Sequence, residues 1–172
     1  ETLAMYTELM LAKKMYGNRR VKEIVDMHMG MYLGERGFTE EQPLFKALSY
    51  NVHLSYSKGL VVMYQLTEMI GEEKVNLTLR NFLQKHTYPN AKPVSTDFIN
   101  ELYAVTDTSM HLKIDDWFKR ITLYDFKITN TAVNKAGTKY ELTLNGVATK
   151  YYEDGKGVQT KTSFNDSVDV AI

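Results

Sequence analysis

Up to about Tyr124 the apolar side chains recur at helical spacing, and after Asp125 they alternate. Leu3, Tyr6, Leu9 and Met10 share one face of a first predicted helix, which Gly17-Asn18 ends. Val21, Ile24, Val25, His28, Met29, Tyr32 and Leu33 follow the template of a second, with stop signals at Gly34 and Gly37. The pair reads as a helical hairpin. From Ser57 to Ile70 the chain is apolar on nearly every side around Leu60 to Tyr64, as expected of a helix enclosed by others, and Gly71 caps it. Val75, Leu79, Phe82 and Leu83 form the next stripe, and Pro89 and Pro93 bracket a loop. Ser95 or Thr96 can cap a short helix carrying Phe98, Ile99, Leu102 and Tyr103. A last helix, opened near Asp107 to Ser109, carries Leu112, Ile114, Trp117, Phe118 and Ile121. The pattern predicts about seven helices with short connections, arranged as a bundle or a solenoid-like stack.

After Asp125 the period drops to two. Tyr140, Leu142 and Leu144 alternate with Glu141, Thr143 and Asn145, the signature of a strand with one wet face. Gly137, Asn145-Gly146 and Asp154-Gly155 are turn signals, the last a hairpin tip between Tyr151-Tyr152 and Val158-Gln159. Ser167 to Ile172 alternates again. The fold class predicted is α+β, mainly α, with a helical part over residues 1–125 and a small antiparallel β segment over 126–172 that reads as an incomplete sandwich.

Composition narrows the chemistry. Lysine plus arginine and aspartate plus glutamate number 21 each, so the chain lacks the net positive field of a nucleic-acid or anionic-membrane binder. There is no cysteine, which excludes disulfides, thiolate metal ligands and a thiol nucleophile. The longest apolar run, Leu60 to Tyr64, falls far short of the roughly 20 residues of a spanning helix. All nine methionines lie at or before Met110, consistent with helices first and strands afterwards. Glu1 leads directly into a helical pattern with no initiator Met or signal peptide, so the segment reads as cut from a longer chain.

No two of the four histidines stand at zinc-ligand spacing, and neither a Gly-rich phosphate loop nor a G-x-S-x-G elbow is present. His28 reads as a satisfied core or rim residue, and His86 and His111 as surface residues. Ser55-Tyr56-Ser57-Lys58-Gly59 is the most unusual cluster. It places a phenol just outside a buried helix, near backbone donors and a cation, although an ordinary aromatic staple on the first turn accounts for the same residues. Asp115-Asp116 are adjacent on a helix and point about 100° apart, so they read as first-turn charges favoured by the helix dipole.

Glu1-Thr2-Leu3-Ala4, Tyr16-Gly17, Tyr32-Leu33, Tyr56-Ser57-Lys58-Gly59 running into Val62-Met63-Tyr64, and Ile70-Gly71-Glu72-Glu73-Lys74-Val75-Asn76 resemble the M1 family of zinc aminopeptidases. Leu79-Arg80-Asn81-Phe82-Leu83, Asp115-Asp116-Trp117-Phe118 and Ile121-Thr122-Leu123-Tyr124-Asp125 are similar to a bacterial branch in which the peptidase follows an ABC-transporter-like permease region. The resemblance runs in register from Glu1 to near Val170. It implies a zinc held by two histidines of an H-E-x-x-H helix and by a glutamate that opens the next helix, a position matched by Glu1. It also implies a tyrosine, ahead of a Lys-Gly helix start, that points at the substrate carbonyl, and Tyr56 matches it. Arg36, Tyr50, His53 and Lys58 are candidates for the substrate cleft by proximity in sequence alone, and a structural role is open to each.

The H-E-x-x-H motif does not occur in these 172 residues. The expectation is therefore the helical C-terminal part of a peptidase catalytic region, inactive alone and holding no zinc tightly. Zinc and a peptide substrate belong to the complete enzyme. That enzyme is expected at the bacterial inner membrane through an upstream permease region, or otherwise in the cytoplasm. The alternative is a non-catalytic helical module, from a degenerate M1-like parent, that binds a protein or peptide.

Overall fold

The computed structural model describes residues 1–48 and 50–168. Six α-helices stand among them: α1 Thr2–Tyr16, α2 Asn18–Glu35, α3 Gly59–Ile70, α4 Glu72–Lys85, α5 Ser95–Val105 and α6 Thr108–Phe118. A 3-10 turn spans Leu44–Lys46, and a π turn, His53–Lys58, runs directly into α3. Three strands follow, β1 Ile121–Ala136, β2 Lys139–Glu153 and β3 Gln159–Thr162. The fold is α+β and mainly α, as the periodicity predicts. Contacts divide the chain into one unit ending at Ile121 and a second from Thr122 onward.

Glycines set the helix ends where the backbone must turn left-handed. Gly17, at φ 79°, closes α1 by donating to the Lys13 carbonyl, and Gly71, at φ 87°, closes α3 on Thr67. Glu72 and Glu73 then occupy the first turn of α4, where the helix dipole favours carboxylates. The start of α5 differs from expectation. Ser95 is its first helical residue, and Asp97 Oδ2 accepts the Val94 N–H at 2.8 Å.

In the helical unit α3 is enclosed as predicted. Val62, Met63 and Leu66 face a cluster with Tyr6, Val75, Phe82, Phe98, Ile99, Leu102, Ile114 and Phe118. Leu60 faces a second cluster with Met5, Leu9 and Val21, so α1 contributes to both. Phe82, Phe98 and Phe118 meet edge-on, with centroids 5.7 and 6.1 Å apart. Lys13 on α1 is paired with Glu72 on α4 at 2.9 Å.

The α6 carboxylates correct the sequence reading: Asp115 and Asp116 lie in the last turn, where the dipole opposes them. Each is compensated four residues on, Asp115 by Lys119 at 3.0 Å and buried Asp116 by Arg120 at 2.9 Å. Asp115 also accepts the Tyr103 hydroxyl. His86 and His111, expected at the surface, are half-buried. The His86 ring lies 5.1 Å from Phe82, and the His111 ring lies 4.4 Å from Tyr103.

In the second unit β1, β2 and β3 form one sheet in that order. The β2–β3 hairpin runs from Lys150↔Thr162 to Glu153↔Gln159. Asp154 closes it by accepting the N–H groups of Lys156 and Val158 at 2.8 and 3.1 Å. Tyr140, Leu142 and Leu144 are exposed, on the part of β2 that lies before its pairing with β3 at Lys150. Of the fourth predicted strand, Ser167 and Val168 are not in a strand, and residues 169–172 lie outside the described residues.

Leu66 is 0% exposed, whereas Leu83, on the predicted apolar stripe of α4, is 64% exposed. Leu66→Ala is expected to cost about 2–5 kcal/mol of unfolding free energy. Leu83→Ala is expected to cost less than about 0.5 kcal/mol. Urea titration of both variants checks the difference, and equal losses would contradict the packing.

Candidate active site

Glu1 is the N-cap of α1, and its carbonyl accepts the Met5 N–H at 3.0 Å, so the helix start fixes its backbone. One residue on, the Thr2 hydroxyl donates to the Ser55 carbonyl in the π turn at 2.7 Å. The approach is close because residue 59 is glycine. A Cβ there would lie 2.3 Å from Thr2 Oγ1. This contact brings together two side chains far apart in sequence. The Glu1 carboxylate and, to a smaller degree, burial hold the pKa of the Tyr56 phenol above the ordinary 10.0.

The other side of the π turn is anchored on α2. Ser57 Oγ lies 3.2 Å from His28 Nδ1, so His28 is a rim histidine with a partner, as the sequence suggests. Lys58 points inward, where its Nζ donates to Glu41 Oε1 at 2.6 Å. The same oxygen accepts the Tyr32 hydroxyl at 2.7 Å, and Glu41 Oε2 accepts Arg36 Nε at 2.9 Å. Lys58 Nζ also lies 5.2 Å from the Tyr32 ring centroid. Glu41, 4% exposed, thus joins α2, the loop after it and the π turn.

Of the cleft candidates, Arg36 and Lys58 both pair with Glu41 and both lie over the Tyr32 ring, 6.0 and 5.2 Å from its centroid. His53 opens the π turn, and its buried Nε2 has no hydrogen-bond partner among the described residues. Tyr50 is exposed. Glu41 carries no sequence signal, because Glu40-Glu41-Gln42 before Pro43 reads as a solvated polar loop.

Beside Glu1 lies a cleft of about 400 Å³, rimmed by Glu1, Thr2 and Ser55 and walled by Leu44, Phe45, Phe82 and Phe98. That size suits a small ligand or a peptide side chain. Among the described residues no group of three or more His, Cys, Asp or Glu side chains can hold a metal ion. A catalytic zinc takes three protein ligands, so these residues do not by themselves fit one, and Glu1 can contribute a single carboxylate. No helix among the described residues is long and apolar enough to cross a membrane.

Burial pushes the Glu41 carboxyl up, but the charge and hydrogen bond of Lys58, with Tyr32 and Arg36, outweigh it and hold the pKa below the ordinary 4.5. A depressed carboxylate stabilises the fold above its unfolded pKa and loses that contribution as pH falls through the folded value. Stability is therefore expected to decline with acidification below pH 4.5, less steeply in Glu41→Gln than in the wild type. Breaking the buried pair is expected to cost about 3–5 kcal/mol near neutral pH. Denaturant titrations across this range check both, and an unchanged acid slope in Glu41→Gln would contradict them.

A family model, the peptidase family M1 domain, matches residues 1–120. Comparison with curated proteins and with solved structures gave no match.

Proposed function

Since this chain belongs to peptidase family M1, we propose that it forms the helical part of a zinc aminopeptidase catalytic region, with Glu1 as one metal ligand and Tyr56 as the donor that stabilises the transition state. The observation that supports the reading is the Thr2–Ser55 hydrogen bond with the close approach at Gly59, since Thr2 adjoins Glu1 and Ser55 adjoins Tyr56. The remaining ligands, the histidines of an H-E-x-x-H helix, belong to a segment outside these residues. The helical region ends at Ile121, four residues before the boundary at Asp125 that the periodicity predicts, and the β unit follows it.

The chemistry assigned to Tyr56 follows from its phenol. With a pKa above 10.0 the hydroxyl stays protonated at neutral pH. It can donate one hydrogen bond to the carbonyl oxygen of the scissile peptide, where negative charge grows in the transition state. The cleft beside Glu1 offers an apolar wall for part of a peptide.

In an enzyme carrying this chain together with the H-E-x-x-H helix, Tyr56→Phe is expected to lower kcat by about 10²–10³ with zinc content unchanged. Release of N-terminal residues from short peptides, alongside metal analysis, measures both. The 172-residue chain alone is expected to release none. Full turnover in the Tyr56→Phe enzyme would overturn the assignment of Tyr56, and activity that survives removal of zinc would overturn the metallopeptidase reading.

A further inference from the structure

We propose that Glu41 is a positioning residue of this site, which holds the π turn in register through Lys58 so that the Tyr56 hydroxyl faces Glu1; the proposal rests on the role of Tyr56 given above. The π turn His53–Lys58 is of a rare kind, and the N–H that follows it, that of Gly59, reaches back five residues to the Leu54 carbonyl and is shared with the Tyr56 carbonyl. Relaxation to α-helical bonding removes the extra residue and rotates the side chains on one side of it by about 100°. Such a rotation carries Tyr56 away from Glu1.

Tyr56 and Lys58 stand two positions apart on this turn, so their side chains leave opposite sides of its axis. Tyr56 follows Ser55, whose carbonyl holds the Thr2 hydroxyl next to Glu1 at 2.7 Å, and Lys58 points inward to Glu41 at 2.6 Å. Glu41 is itself fixed, because its two oxygens also accept Tyr32 at 2.7 Å and Arg36 at 2.9 Å, both from the C-terminal end of α2. A rotated turn withdraws the Lys58 ammonium from a carboxylate that has little access to water. The buried ion pair therefore favours the π register.

The first test is structural and uses the 172-residue chain itself. Nuclear Overhauser contacts between the Tyr56 ring and the Glu1 side chain are expected in the wild type and lost in Glu41→Gln. Contacts between Phe82 and Phe98, whose centroids lie 5.7 Å apart in the core, should persist. The second is a kinetic cycle in the zinc-loaded enzyme. Glu41→Gln is expected to lower kcat about 100-fold with KM little changed, and to have no further effect in a Tyr56→Phe background. Should Glu41→Gln not fold, Glu41→Asp, with the same charge on a shorter arm, enters both tests. Retained Tyr56–Glu1 contacts, or equal losses of kcat with and without the Tyr56 hydroxyl, would overturn the positioning role while leaving Tyr56 in place. A Tyr56→Phe enzyme with unchanged kcat would instead remove the premise.

Discussion

The N-terminal end of α1 can rest on the π turn only because residue 59 carries no side chain. Thr2 Oγ1 stands where a Cβ would be, 2.3 Å from its ideal position. From this seat the Thr2 hydroxyl reaches the Ser55 carbonyl, and the adjacent Glu1 raises the pKa of Tyr56, the residue after Ser55. A side chain at 59 would require the Thr2 side chain, whose Oγ1, Cγ2 and Cβ lie 2.3, 2.9 and 3.0 Å from the added Cβ, to shift. The glycine is thus required by close approach and not by its own backbone angles, which are ordinary helical values of φ −57° and ψ −46°.

Opposed forces hold that turn. On one side lies the contact with α1, apart from a short bond between a hydroxyl and a carbonyl largely one of shape. On the other lies an ionic cluster in which one carboxylate meets an ammonium, a guanidinium and a phenol. Burial of such charges is costly unless each is paired, and here Glu41 uses both oxygens. The apolar clusters beneath, with Leu60 in one and Met63 in the other, fix α3 and hence the end of the turn. Between these anchors Tyr56 is half-buried.

Much of the fold is legible in the sequence because the punctuation is strong. Gly17 and Gly71 adopt positive φ where the apolar stripes stop, and Asp154-Gly155 closes the hairpin it predicts. The π turn is not legible, since one extra residue within an apolar stretch leaves the period almost unchanged. Alternation at Tyr140, Leu142 and Leu144 identifies a strand but not whether anything covers its apolar face, and these residues are exposed. The placement of Asp115 and Asp116 fails for a different reason: adjacent acids show no helix polarity until the end of the helix is known. Within the site, Tyr56, Lys58 and Gly59 stand out from sequence, whereas Glu1 is singled out only by resemblance. Glu41 is invisible, because nothing in a polar loop announces that three donors from other elements will converge on one of its carboxylates.

The seat of α1 on the π turn can be measured in the chain directly, since it contains no native cysteine to compete. Ideal Cβ positions place residue 59 3.0 Å from Thr2 Cβ, and disulfides span Cβ separations of about 3.5–4.5 Å, within reach of a small outward shift. In the folded double variant Thr2→Cys with Gly59→Cys, mild oxidation is expected to give an intramolecular disulfide in full yield. Two free thiols in a folded chain, titrated after the same oxidation, would contradict the close approach on which the placement of Glu1 beside Tyr56 depends.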